Sequence, residues 1–295
     1  MRVFENLPEF KAWRKTAGGT VGFVPTMGCL HEGHLSLVRL VRARCDTVVV
    51  SIFVNPSQFA PGEDLAAYPR DLARDLDLLA AEGVDGVLAP GEDVAFYPDG
   101  FSTWVEVEGL TSRLEGASRP THFRGVATIV AKLFHVVRPD VAAFGQKDAQ
   151  QALVLRRMVR DLDFAIALIV GPTIREPDGL AMSSRNAYLK PHERAAATVL
   201  RRALDRAEAL YEQGERNASN LRAGMMEVLD AEPLAETNYV SIANTDTLEE
   251  LGAIKDRALV SLAVRIGLPR LIDNCILPPG GSLYDDERRP HVARS

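Results

Sequence analysis

Short, continuous runs of apolar residues alternate with amphipathic stretches along roughly the first 175 positions of the chain. The apolar runs are Val21–Val24, Thr47–Val54, Gly86–Ala89, Val141–Phe144 and Ala165–Val170. Between them, apolar residues recur at helical spacing in Leu35–Arg44, Asp71–Glu82, Gly125–Val137 and Gln150–Asp161. Apolar runs without alternation are typical of parallel strands that are covered on both faces. The pattern therefore predicts an α/β domain over residues 1–175, built on a Rossmann-like, doubly wound parallel sheet.

The pattern changes after residue 175. The stretch His192–Leu229 is rich in Ala, Arg, Glu and Leu and predicts helix, and three short segments predict strands: Asn238–Ile242, Ala258–Val264 and Leu271–Ile276. We expect a smaller α+β C-terminal domain over residues 176–284. The charged residues 285–295, which include a proline, are expected to be a disordered tail.

Composition narrows the class of protein further. With 295 residues, of which 46% are hydrophobic and 25% charged, the chain has the composition of a globular protein with a sizeable core. The net charge of −6 argues against a nucleic-acid partner, because phosphate backbones attract basic surfaces. Three cysteines without a Cys-x-x-Cys pair favour a reducing compartment. Since neither a signal-peptide pattern nor a run of about 18 apolar residues is found, we expect a cytoplasmic protein without membrane contacts.

The segment Val24–His34 carries the most informative chemistry. A loop with Gly28 and Gly33 follows the first apolar run, and His31 and His34 lie three residues apart where the next helix is predicted to begin. A helix N-terminus with nearby glycines suits phosphate, and residues at i and i+3 share one helix face. The segment therefore predicts a phosphate site to which both imidazoles contribute.

Two other interpretations compete with phosphate chemistry at these histidines. A zinc site of the His-Glu-x-x-His type is disfavoured, because only Gly33 separates Glu32 from His34. The second competing interpretation is a pair of unrelated surface histidines. The strand, loop and helix context favours phosphate, although it does not by itself define a reaction.

Three further polar segments follow predicted strands. Taken alone, the Asn-Pro pair favours a turn stabilised by Asn55, and the alternative is that Gln58 offers its amide to a polar ligand. Lys147 would reinforce an anion site at a helix start, and Asp148 would cap that helix or hold ribose hydroxyls. The alternative for this segment is an ordinary capped helix with a solvated lysine. The hydroxyls and guanidinium of Met182–Arg185 suit phosphate oxygens, or else form a plain N-cap. Together with the histidine loop, these segments predict an enzyme that uses a nucleotide.

One more segment is dense in charged residues but less specific. Glu115, Arg119, His122 and Arg124 lie within twelve positions of the sequence, 115–126. The sequence alone favours a solvated loop here, and such a density of charge also suggests a lid or an interface as the alternative.

Four motifs resemble those of the pantothenate synthetase family, whose members are also called pantoate–β-alanine ligases. They are Pro25-Thr26-Met27-Gly28-x-Leu30-His31-x-Gly33-His34, Phe53-Val54-Asn55-Pro56-x-Gln58-Phe59, Phe144-Gly145-x-Lys147-Asp148-x-Gln150-Gln151 and Gly179-Leu180-Ala181-Met182-Ser183-Ser184-Arg185-Asn186. The resemblance runs in order from Gly22 to Ile276. The family belongs to the nucleotidyltransferase superfamily, whose first signature is similar to the His-x-Gly-His here and whose second, a mobile phosphate-binding loop, is similar to Met-Ser-Ser-Arg.

The resemblance implies a two-step reaction that uses ATP and Mg²⁺. The carboxylate of pantoate attacks the α-phosphorus and expels pyrophosphate, and the amine of β-alanine then attacks the pantoyl adenylate and releases AMP and pantothenate. It also implies a homodimer. The metal ligands are left undefined.

The resemblance also implies roles for individual residues. His34 and His31 would donate to phosphate oxygens, with His34 as proton donor, and Lys147 would neutralise charge in the transition state. Pantoate and β-alanine would be bound by Gln58, Gln151 and Met27. Contacts with ATP would come from Met27, Gly28, Cys29, Leu30, His31, Glu32, Gly33, His34, Gly145, Gln146, Lys147, Asp148, Ile174, Met182, Ser183, Ser184 and Arg185.

The chain departs from the family pattern at Gln146, where a glutamate is more usual. Gln146 lacks the negative charge that the family's glutamate places beside Lys147, so we do not expect a salt bridge of that glutamate here. A role of the main chain at position 146 is retained. One alternative activity is that of another nucleotidyltransferase, which would leave AMP on its product. A nucleotide sensor or scaffold on the same fold is the non-enzymatic alternative, and the presence of both histidines and the lysine argues against it.

Overall fold

The computed structural model describes residues 1–91, 96–281 and 283. The chain divides into two compact units. The first comprises Met1–Gly145 and Gln151–Gly171, and the second comprises Gln146–Gln150 and the described residues from Pro172 onward. The domain limits 1–175 and 176–284 stay a prediction, and the expected tail at 285–295 lies outside the described residues.

The elements up to residue 171 alternate between strand and helix. They are β1 (Arg2–Phe4), α1 (Leu7–Arg14), β2 (Val21–Thr26), α2 (Glu32–Arg42), β3 (Thr47–Ile52), α3 (Leu72–Ala81), β4 (Gly86–Leu88), α4 (Leu114–Ser118), α5 (His122–Val137), β5 (Val141–Gly145), α6 (Ala149–Asp161) and β6 (Ala167–Gly171). In the described part of the chain, six strands form one sheet in the order β1-β4-β3-β2-β5-β6, and every recorded pairing is parallel. The order reverses between β2 and β5, and ligands bind at such a switch point in open α/β sheets.

Helices cover both faces of this sheet, as successive residues of β2 demonstrate. A Cβ on Gly22 would lie 1.9 Å from Cγ1 of Val41 in α2, so glycine lets α2 approach this face closely. The next residue, Phe23, packs edge-on against Phe134 of α5, with ring centroids 6.4 Å apart. Because consecutive strand residues point to opposite faces, α2 and α5 lie on opposite sides of the sheet. The predicted doubly wound α/β fold is confirmed.

β1 and α1 were not predicted from the sequence. Phe4 and Phe10 are buried there, and their rings meet edge-on at 5.5 Å between centroids. Trp13 packs on both rings and also lies over Gly86, where a Cβ would come within 2.4 Å of the indole. Aromatic packing therefore holds β1 beside β4 at the edge of the sheet.

The second unit combines helices with an antiparallel sheet. Its elements are α7 (Pro191–Ala196), α8 (Val199–Glu212), α9 (Ala218–Asp230), β7 (Glu236–Ala243), β8 (Ala258–Arg265) and β9 (Arg270–Leu277), and the described strands pair in the order β7-β8-β9. The helical stretch predicted at His192–Leu229 is divided into three helices. The last break falls before Asn217, whose Oδ1 accepts the N–H of Ser219 at 2.8 Å and caps α9. Within the described residues, no helix is both long and apolar enough to span a bilayer.

Candidate active site

His31 and His34 form a reciprocal cap at the start of α2. The Nδ1 atom of His31 accepts the N–H of Gly33 at 3.2 Å, and Nδ1 of His34 accepts the N–H of His31 at 3.3 Å. The ring centroids lie 4.1 Å apart. Because each Nδ1 accepts a main-chain proton, a neutral ring carries its own proton on Nε2 and can donate it. The prediction that the two rings lie together at a helix N-terminus is confirmed.

Gly33 is part of the same arrangement. A Cβ at this position would lie 2.9 Å from both Nδ1 and Cε1 of His31. A larger residue would therefore displace the imidazole. Glu32, in the first turn of α2, forms an ion pair with Arg39 on the solvent-facing side.

Asp75 of α3 holds the loop that precedes the histidines, and sequence reasoning did not identify it. Its carboxylate accepts hydrogen bonds from the N–H groups of Cys29 at 2.8 Å and Leu30 at 2.7 Å, and Asp75 is only 1% exposed. Burial raises the pKa of this carboxyl, and the two N–H donors oppose the rise. Gly28, with φ +85°, lies against the same carboxylate. A signal was present, because Asp75 is four residues before the buried Leu79, on the apolar face of its helix.

The Cys29 thiol is in this loop and is half-buried. Burial, followed by the charge of Asp75, raises its pKa, so the thiol keeps its proton near neutral pH. Its backbone has φ 50°, in the left-handed region. Cys29 therefore contributes to the loop through its main-chain N–H, which donates to Asp75, and not through a reactive thiolate.

Asn55 orients the side chain of Gln58. Oδ1 of Asn55 accepts from the hydroxyls of Tyr97 at 2.8 Å and Ser57 at 2.9 Å, which leaves its Nδ2 to donate to Oε1 of Gln58 at 3.0 Å. Burial raises the pKa of Tyr97, so the phenol remains a donor. The Gln58 amide therefore directs its Nε2 group to acceptors, one of which is Sδ of Met27 at 3.0 Å. An Asn55-stabilised turn is present and, at the same time, positions Gln58.

The charged segment at 115–126 supports the main chain of Gln58. It forms α4 and the beginning of α5, so the solvated loop that the sequence favours is wrong. Arg119 donates to the carbonyl of Gln58 at 3.2 Å and pairs with Glu63, and Nδ1 of His122 lies 2.9 Å from the same carbonyl. Gly125 packs against the turn, where a Cβ would lie 2.3 Å from the carbonyl oxygen of Ser57.

In the second unit, residues 146–148 form a 3₁₀ turn that leads into α6. Asn274 of β9 donates from Nδ2 to the carbonyls of Gln146 and Lys147, each at 2.9 Å. The Lys147 side chain is 20% exposed, and its ammonium lies 3.9 Å from the carboxylate of Asp148. Sequence reasoning missed Asn274, and its separation from the turn left no local signal.

Ile174 and Met182 are brought together by a short hairpin in the same unit. The N–H of Met182 donates to the carbonyl of Ile174 at 2.9 Å, and Arg175 pairs with Ala181 in a β-bridge. The guanidinium of Arg175 also binds the buried carboxylate of Asp273 at 2.6 and 3.0 Å.

Ser183 follows this hairpin as the N-cap of a 3₁₀ helix, Ser184–Tyr188. Its hydroxyl accepts the N–H of Arg185 at 3.3 Å. Asn186 ties the helix back to the hairpin, because its Nδ2 donates to Glu176 and to the carbonyl of Ala181, each at 3.1 Å. The N-cap interpretation of this segment is confirmed, and its binding of phosphate stays a prediction.

Gly145 and Gln151 belong to the first unit. Gly145 ends β5, and nothing lies within 4 Å of the position a Cβ would take, so the main chain there is open to close approach. Gln151 is half-buried in the first turn of α6. Their contacts with ligands stay predictions.

The sequence and the fold both match known proteins. A family model described as pantoate-beta-alanine ligase matches residues 2–276. The pantothenate synthetase of Roseiflexus castenholzii is 61% identical over 277 residues, which cover 94% of this chain and 99% of that protein.

Solved structures agree with the family match. Pantothenate synthetase from Thermus thermophilus has a TM-score of 0.89 at 48% identity, and the similarity covers 97% of this chain and 100% of that one. A pantoate-beta-alanine ligase from Francisella tularensis, complexed with Beta-gamma ATP and Beta-alanine, has a TM-score of 0.77 at 34% identity, with 93% and 97% covered. The chain therefore belongs to the pantoate-beta-alanine ligase family.

Proposed function

We propose that this chain condenses pantoate with β-alanine to give pantothenate, and that it consumes ATP and releases AMP and pyrophosphate through a pantoyl-adenylate intermediate. The observation that carries the proposal is the reciprocal cap of His31 and His34 directly after β2. β2 lies where the strand order reverses, the usual ligand site of open α/β sheets. Membership of the family supports the choice of substrates.

In the first half-reaction, a carboxylate oxygen of pantoate attacks the α-phosphorus of ATP, and the bond to pyrophosphate breaks. Because both reactants are anionic, the protein must position them and offset their charge. We assign this work to the Nε2–H groups of His31 and His34 and to the ammonium of Lys147, with His34 as proton donor. The two histidines are held by main-chain hydrogen bonds at the start of α2, and donors fixed in advance favour the transition state.

The remaining nucleotide contacts are assigned from the family resemblance. Main-chain groups of a glycine-containing loop can approach phosphates closely. The proposed contacts with ATP are Met27–Gly33 and Gln146, with Gly145 and Asp148 on the ribose side, Ile174 and Met182 near adenine, and Ser183, Ser184 and Arg185 on the departing phosphates.

Pantoate is assigned to Gln58, Gln151 and Met27. Since Asn55 occupies Oε1 of Gln58, the amide would present its N–H donors to the oxygens of a hydroxy acid. Gln151 would supply a second amide, and Met27 would line the apolar side of the pocket. This donor arrangement suits a small hydroxy carboxylate.

In the second half-reaction, the β-alanine amine attacks the acyl carbon of the adenylate. A carbon–nitrogen bond forms, the bond from the acyl carbon to the phosphate oxygen breaks, and AMP leaves. The amine loses a proton to form the amide. Gln58 is assigned a contact with this substrate as well.

ATP is proposed to bind with Mg²⁺, which the family resemblance implies. Among the described residues, no group of three or more His, Cys, Asp or Glu side chains is arranged to hold a metal ion. Phosphate oxygens and water would therefore supply most of its ligands, as is common for Mg²⁺ on nucleotides. We also propose a cytoplasmic homodimer, which cell fractionation and light scattering of the purified protein would test.

Product analysis tests the proposed function. With ATP, Mg²⁺, pantoate and β-alanine, the protein should release AMP and an amide in equal amounts. A nucleotidyltransferase of the alternative type would keep AMP in its product, and a sensor would form neither. Omission of β-alanine should stop amide formation.

A further inference from the structure

We propose that Asn274 of β9 is a positioning residue for the ligase reaction and that it acts by fixing the main chain of Gln146 and Lys147. The inference rests on the proposed role of Lys147. It assigns a function to a strand of the small C-terminal sheet that contributes no residue to the sequence motifs.

The side-chain amide of Asn274 holds two consecutive carbonyl groups. Nδ2 of Asn274 is 2.9 Å from the carbonyl oxygens of Gln146 and Lys147, and the residue is 4% exposed. Two acceptors on the same nitrogen fix which end of the amide faces the turn. Both protons of that nitrogen are used to hold consecutive carbonyls.

Asn274 is itself firmly held by its strand. β9 pairs with β8 over its whole length, and Asn274 lies opposite Ser261 in that register. The N–H of Asn274 donates to Oδ1 of its neighbour Asp273 at 2.8 Å, and the same carboxylate binds Arg175 at the base of the Ile174–Met182 hairpin. One dipeptide thus contacts two segments to which the proposed function assigns nucleotide contacts.

The position of Lys147 depends on how its main chain is held. The ammonium of Lys147 lies 3.9 Å from the carboxylate of Asp148, which is the next residue and moves with the turn. That ion pair therefore cannot fix Lys147 relative to the rest of the unit. The carbonyls of Lys147 and Gln146 accept hydrogen bonds from Asn274 of β9. The antiparallel sheet therefore fixes the position of the Lys147 main chain, from which its side chain extends. A displacement of about 1 Å from the reacting geometry can lower a rate about 100-fold.

The test compares Asn274→Ala and Asn274→Asp with wild type and with Ser261→Ala as a matched control. Ser261 is equally buried and directly opposite, but it is on β8. We expect both Asn274 variants to lower kcat by about 10-fold or more while the KM values for ATP and pantoate change less than about threefold. Ser261→Ala should retain the wild-type kcat. Hydrogen exchange at the amides of residues 147–150 should rise in the Asn274 variants alone.

The aspartate variant adds a readout that loss of packing would not produce. Asn274→Asp keeps the shape of the side chain but turns a donor toward two carbonyl oxygens into an acceptor. Protonation restores one O–H donor, so the ratio of its kcat to that of wild type should rise as the pH is lowered. A ratio that does not change with pH would contradict the donor role.

The outcomes separate this inference from the proposed function. If wild type forms no amide, the proposed function fails. If wild type is active and Lys147→Ala is impaired but the Asn274 variants match wild type, only the inference is overturned. It is also overturned if Lys147→Ala matches wild type, or if neither Asn274 variant folds, because Asn274 would then serve general stability.

Discussion

The main-chain N–H of His31 donates to Nδ1 of His34, and the centroids of the two imidazole rings lie 4.1 Å apart. His31 is held in turn by the N–H of Gly33. The first turn of α2 therefore helps to orient both rings. Donors that are fixed in advance need no reorganisation during the reaction, and they stabilise developing charge more effectively than mobile groups.

Replacing His34 with alanine tests its role as donor. We expect His34→Ala to lower kcat about 100- to 1,000-fold with little change in the KM for ATP, because the donor acts mainly in the transition state. Loss of one cap contact should lower the free energy of unfolding by about 1 kcal/mol. His192→Ala, at an exposed histidine of α7, is the control. Near-normal turnover in His34→Ala would exclude this residue from the mechanism.

Gly33→Ala separates site geometry from stability. Alanine favours helix over glycine by up to about 1 kcal/mol, and this gain offsets part of the cost of displacing the His31 ring, so the free energy of unfolding should change little. Its Cβ would nevertheless lie 2.9 Å from the His31 ring and displace it, so kcat should fall at least about 10-fold. Gly18→Ala is the control, because nothing lies within 4 Å of a Cβ at that position. Equal activities of the two variants would show that the fit of Gly33 against His31 does not matter.

Tyr97→Phe tests whether the orientation of Gln58 matters. The change removes a donor to Asn55, so it should lower the free energy of unfolding by about 1 kcal/mol and loosen the Gln58 amide. The KM for pantoate should rise about threefold or more, and the KM for ATP should change less. Tyr211→Phe in the second unit is the control. If both KM values rise equally, Tyr97 does not act through Gln58.

Asp178 predicts a pH dependence of stability. Its carboxylate receives two hydrogen bonds from Arg194, at 2.7 and 3.0 Å, which hold its pKa below the ordinary value of about 3.9. A lowered pKa in the folded state stabilises the fold above the ordinary value, and this contribution is lost as pH falls through the folded pKa. Asp178→Asn should therefore lower the melting temperature at pH 7, and the difference from wild type should shrink toward pH 3. A difference that is equal at both pH values would contradict the ion-pair account.

The fold was largely predictable, because its central strands are apolar runs with helices between them. β2, β5 and β6 begin within two residues of their predicted starts. β3 is shorter than predicted and ends at Ile52, because Asn55 forms a turn instead of continuing the strand. β1 has three residues and only Phe4 is buried, so its place in the sheet depends on packing with Trp13 that a local pattern cannot reveal.

The site was predictable only where it is local in sequence. His31, Gly33 and His34 fall within four positions, and their spacing on a helix start was sufficient to place them together. Asp75 and Asn274 reach their main-chain partners across 45 and 127 residues, respectively, so no short motif connects them. The candidate chemistry-bearing residues were therefore recognisable from the sequence, whereas Asp75 and Asn274, which hold main-chain segments beside them, were not.

The central claim is that this site activates a carboxylate with ATP before the amine arrives. That half-reaction must then run in reverse when β-alanine is omitted. The direct measurement is the exchange of labelled pyrophosphate into ATP, with Mg²⁺ and D-pantoate present and β-alanine absent. The account predicts that label enters ATP, that omission of pantoate abolishes the exchange, and that His34→Ala lowers its rate in proportion to kcat. Exchange without pantoate, or no exchange from folded wild-type protein, would contradict it.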